Sequence, residues 1–98
     1  MKAKGEGLQQ RWVVYILSCS DGSLYTGITN NIEKRLTDHN RGTASKYTRS
    51  RRPVTLLTTS VAMDKGEALR LEMKIKKMPK TKKVACLKNS RMENKKSS

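Results

Sequence analysis

The sequence predicts an α+β fold, a small three-stranded antiparallel sheet flanked by helices in the order β-β-α-β-α-α. Three observations carry this. Residues 12–18, Trp-Val-Val-Tyr-Ile-Leu-Ser, are rich in β-branched and aromatic side chains and lead into an Asp21-Gly22 turn signal. Two later segments place apolar residues at helical spacing behind capping residues. The 98 residues, 35% of them hydrophobic, supply material for one small domain. A chain of this size buries roughly 60–65% of its unfolded surface, so the core is modest.

Each element has its own reason. The run 12–18 is apolar at both alternating sets of positions, the pattern of a strand covered on both faces. Residues 24–28 return as the second strand of a hairpin. Asn30 then offers a helix cap, with Glu33 three places on as in a capping box. Ile32 and Leu36 form the buried stripe of that helix and Gly42 its stop. Residues 42–52 have no apolar periodicity and read as a basic loop. Pro53 introduces a third strand over 54–61. Asp64 and Glu67 repeat the cap pattern before a helix over 65–78, with Ala68, Leu71, Ile75 and Met78 on one face. Pro79 breaks it, and a last helix over 81–88 adds Val84 and Leu87 to the core. The domain is expected over 11–88, between a flexible N-terminal segment at 1–10 and a basic disordered tail at 89–98.

Charge narrows the partners. The formal net charge is +14, which favours polyanions, and nucleic acid is the commonest inside a cell. Ten of the 22 basic residues fall in the terminal stretch 73–98, beside one acid, Glu93. A second cluster over 41–52 holds five basic residues and no acid. Within it Lys46, Arg49, Arg51 and Arg52 surround Tyr47, as in a phosphate-facing, nucleic-acid-binding loop. Lys95 and Lys96 read as a solubilising tail. Cys19 and Cys86 are far apart and there is one histidine, which excludes a zinc finger. The first ten residues lack the apolar stretch of a signal peptide, and no apolar run approaches the ~20 residues that span a bilayer. The expectation is a cytoplasmic protein with no membrane partner.

Five residues could carry chemistry. Tyr15 and Tyr25 flank the hairpin turn, and Arg35 and His39 lie one helical turn apart on the next helix. Arginine donates two parallel hydrogen bonds to a phosphate, and histidine relays protons. The plainer alternative makes the tyrosines core aromatics, Arg35 a surface cation and His39 a solvent-facing residue near a helix end. Phenols serve as bases only if nearby cations pull them well below ~10. Glu72 sits at the edge of a buried stripe, where an acid needs a partner. A hard divalent cation or Lys76 at the next turn fits equally. Gly27 marks a bulge or a spot where a ligand approaches the backbone closely.

The combination Val13-Val14-Tyr15, Tyr25-Thr26-Gly27, Asn31, Arg35, His39, Asn40, Gly42 and Glu72 resembles the GIY-YIG nuclease superfamily, and its short stand-alone UPF0213 branch in particular. The resemblance covers about residues 12–87. It implies a metal-dependent DNA endonuclease, with a role in repair or recombination and branched or damaged DNA as substrate. It makes Tyr15 and Tyr25 the motif tyrosines that position or activate water, and Arg35 the group that stabilises the scissile phosphate. His39 would assist proton transfer or phosphate binding, and Glu72 would hold one Mg²⁺ or Mn²⁺. The first motif has Val13-Val14 for Gly-Ile, and the second has Thr26 for Ile. The late asparagine of larger members has only Asn89 near it, and the domains that choose a DNA site are absent from this sequence, which implies a protein partner for targeting. Two other readings stand beside this one: a non-catalytic nucleic-acid-binding module of the same fold, and a basic structural protein of an RNA assembly.

Overall fold

The computed structural model of the chain describes residues 11–97, with side chains up to residue 89. The expected flexible segment at 1–10 lies outside the described residues. The elements are β1 (Val13–Ser18), β2 (Leu24–Thr29), α1 (Ile32–Arg41), α2 (Lys46–Arg49), β3 (Thr55–Thr59), α3 (Lys65–Lys76) and α4 (Lys80–Ser97). The strands form one antiparallel sheet in the order β2-β1-β3. The α+β class and the element order agree with the sequence, apart from the added α2.

β1 is the middle strand, which is why it is apolar on both faces. Val14 and Ile16 pack with Ala68 and Ile75 of α3 and Leu87 of α4. Tyr15 and Leu17 point the other way, into a cluster with Cys19, Val54, Ile32 and Leu36. Alternation along one strand therefore feeds two cores. The hairpin turn is built by Gly22 at φ 86° and by Asp21, whose carboxylate accepts from the Ser23 N–H at 3.0 Å.

Several boundaries differ from expectation. The cap of α1 is Asn31, not Asn30: its side chain accepts from Lys34 N at 3.1 Å. Thr29 Oγ1 accepts the Asn31 N–H at 3.0 Å and so fixes the step from strand into helix. Gly42 ends α1 at φ 85°, as expected. The basic loop contains a helical turn, α2, capped by the Ser45 hydroxyl on Tyr47 N. β3 is shorter than the 54–61 expectation. The capping box of Asp64 and Glu67 is present. α3 ends at Lys76, and its last carbonyls, Ile75 and Lys76, accept from Lys83 Nζ at 3.0 and 3.2 Å. α4 continues to Ser97, past residue 88 where disorder is expected from the sequence; no proline or glycine interrupts 80–97.

Leu87 is fully buried between the sheet and α3. Leu87→Ala should therefore cost about 2–5 kcal/mol in urea unfolding. A loss under about 0.5 kcal/mol would show that α4 contributes nothing to the core.

Candidate active site

The register of the hairpin assembles the site. Tyr15 pairs with Gly27 and Leu17 with Tyr25, so both tyrosines lie on one face of the sheet. Their rings are 6.3 Å apart between centroids. Gly27 is where it is because the Tyr15 ring lies over it: a Cβ there would stand 2.6 Å from the phenol oxygen. The close approach to Gly27 is thus made by the protein's own tyrosine, where the sequence suggests a ligand.

His39 projects from the last turn of α1 beneath both rings. It is fully buried, which overturns the solvent-facing alternative. Its Nε2 is 2.9 Å from the Tyr15 phenol oxygen and its Nδ1 is 2.7 Å from Thr48 Oγ1. Its ring stands edge-on to Tyr25 at 5.0 Å between centroids. Burial, and the Arg35 guanidinium beside it, hold His39 below the ordinary histidine value, with Asp38 pulling the other way. The imidazole is therefore neutral near pH 7.

Tyr15 is the point on which the other groups act. Burial and then Tyr25 push its phenol above the ordinary tyrosine value. The charge of Arg35 pulls it down, and the Glu72 carboxylate pushes it up. Arg35 and Glu72 thus both act on the same phenol. Arg35 does act to lower this tyrosine, but desolvation outweighs it.

Glu72 pairs with Lys76 at 3.2 Å, and its side chain is only 16% exposed. Among the described residues no cluster of three or more His, Cys, Asp or Glu could cage a metal. One carboxylate still suits Mg²⁺ or Mn²⁺, hard ions that keep several waters and take substrate phosphate oxygens. Such an ion would exchange with Lys76 for the carboxylate.

The basic loop splits in two. Lys46 and Arg49 are exposed. Arg51 instead binds Asp21 Oδ2 through Nε at 3.0 Å and the Tyr47 carbonyl through Nη1 at 2.8 Å, and it covers the Tyr47 ring at 3.9 Å. Arg52 turns back on the Arg49 carbonyl at 2.8 Å. Tyr47 itself lies 6.0 Å from Tyr25 between centroids, so an aromatic row runs from Tyr15 outward. Thr48 and Asn40 belong to the site's framework, yet sequence reasoning gives neither a role, because their partners lie across the loop at no helical or strand spacing. The Asn40 amide bridges both backbone groups of Val54, at 2.8 and 3.0 Å, which holds the loop against α1. Asn89 lines an outer groove with Leu71 and Cys86 between α3 and α4.

Comparison with known proteins matches these residues to a family. Residues 11–85 fit the model of the GIY-YIG catalytic domain. The chain belongs to the GIY-YIG family. It is 53% identical over 76 residues to a UPF0213 protein of Nitratidesulfovibrio vulgaris, covering 78% of this chain and 69% of that one. A UPF0213 protein of Halobacterium salinarum is 46% identical over 72 residues, covering 74% and 94%. The solution NMR structure of an E. faecalis protein is similar at a TM-score of 0.56 with 39% identity, covering 82% of this chain and 85% of that one. In this GIY-YIG domain no helix among the described residues is long and apolar enough to cross a membrane.

The GIY-YIG site makes two expectations for stability. Gly27→Ala should drive the Tyr15 ring from His39 and cost about 1–3 kcal/mol in urea unfolding. Unchanged stability would mean that the ring is not seated on Gly27. The unfolded chain binds a proton at His39 before the folded one does, so stability is full above the ordinary value of 6.5 and falls below it. Melting temperatures from about pH 5 to about pH 7.5 should show a larger acid loss for wild type than for His39→Gln.

Proposed function

We propose that this protein is a divalent-metal-dependent DNA endonuclease. The observation that carries the reading is the Tyr15–His39 hydrogen bond, buried and neutral, with Arg35 and Glu72 acting on the same phenol. A phenol held above its ordinary value is no standing phenolate. It acts instead as a relay: Tyr15 takes a proton from the attacking water as its own proton passes to His39 Nε2. The hydroxide forms the new P–O bond as the bond to the leaving oxygen breaks. Arg35 stabilises the charge that grows on the phosphate, and Glu72 would hold the metal. The bound cation supplies charge neutralisation on the phosphate. Tyr25 packs against His39 and borders the water's approach, while Lys46, Tyr47 and Arg49 border the nucleic acid.

The Glu72–Lys76 ion pair favours a second reading, a binding module of the same fold without catalysis. Supercoiled plasmid with Mg²⁺ or Mn²⁺ separates the two. Wild type should cut, while Glu72→Ala and Tyr15→Phe lose about 10²–10⁴-fold in rate and keep salt-sensitive DNA binding. Equal cutting by wild type and Glu72→Ala would mark the activity as a contaminant and leave the binding module.

A further inference from the structure

His39 can assist Tyr15 only in one of its two neutral forms, the one with a proton on Nδ1 and a lone pair on Nε2. The surroundings of the ring select that form. Thr48, fully buried on α2, presents Oγ1 to Nδ1 at 2.7 Å and also reaches the Ser45 carbonyl oxygen at 3.4 Å. A carbonyl can only accept, so the Thr48 proton is directed to Ser45 and its lone pair faces Nδ1–H. At the other end the Tyr15 oxygen lies 2.9 Å from Nε2, so with the ring proton on Nδ1 the phenol donates to the Nε2 lone pair. All the bonds then run one way, from Tyr15 through His39 and Thr48 to the Ser45 carbonyl.

We infer that Thr48 is a positioning residue that holds His39 as the Nδ1–H tautomer and so aims the Nε2 lone pair at the Tyr15 phenol. This explains why a helical turn interrupts the basic loop. Ser45 caps α2 and also receives the Thr48 hydroxyl, so one residue fixes the helix and ends the chain of bonds. The effect on cleavage rests on the nuclease reading; the tautomer itself does not.

The test uses the full chain, ¹⁵N-labelled, with long-range NMR spectra of the histidine ring near neutral pH. Wild type and Thr48→Ser should show a protonated Nδ1. Thr48→Val, which keeps the volume and loses the hydroxyl, should move the proton to Nε2. Plasmid cleavage should fall about 10- to 100-fold in Thr48→Val and recover in Thr48→Ser. A residue needed only for packing would give the reverse order, with Val harmless and Ser damaging. Should Thr48→Val not fold, Thr48→Ala removes the hydroxyl without the added methyl. A wild-type ring protonated on Nε2, or a folded hydroxyl-free variant still protonated on Nδ1, overturns the inference. Absence of Glu72-dependent cleavage in wild type would instead sink the nuclease reading and leave the tautomer result standing.

Discussion

The seat of the Tyr15 ring on the Gly27 backbone is the contact on which the rest of the site depends. Cross-strand pairing puts the two residues opposite each other, and the missing side chain lets the phenol lie flat enough to reach His39. From there the buried imidazole ties the sheet to α1 and, through Thr48, to α2. A shift of one residue in the hairpin register would put the two tyrosines on opposite faces of the sheet and dissolve the network. The fold and the site are therefore specified by the same strand pairing.

Electrostatics give the network its character. The chain carries a large positive charge, yet the centre of the site is neutral: a desolvated phenol and a desolvated imidazole in contact. Charge stands around that pair rather than in it, supplied by Arg35 and Glu72. Such an arrangement suits proton movement over a short distance, since neither partner must carry a charge at rest. The basic loop is likewise less a reservoir of free cations than its composition suggests. Arg51 and Arg52 hold the loop to the hairpin and to itself, and Arg51 fixes Tyr47 against Tyr25.

Much of this is legible in particular residues. Double-sided apolarity places β1 in the middle of the sheet, Gly42 ends α1, and Asp64 with Glu67 begins α3, because caps and alternation are local and leave local marks. The cap at Asn31 differs by one position from the expected Asn30, since the deciding bond comes from Thr29. The turn at 46–49 leaves no periodic signal, being too short to show one. Glu72 has Lys76 as its partner, the second of the two alternatives the sequence leaves open, and it also acts on Tyr15.

Local pattern and composition alone set the class of fold, the order of its main elements, the strong positive charge and the candidate residues of the site. Three features come only from the folded arrangement: the burial of His39, the raised rather than lowered Tyr15 phenol, and the place of Thr48 beside the imidazole. Those depend on desolvation and on contacts between residues of separate elements, which no spacing along the chain encodes.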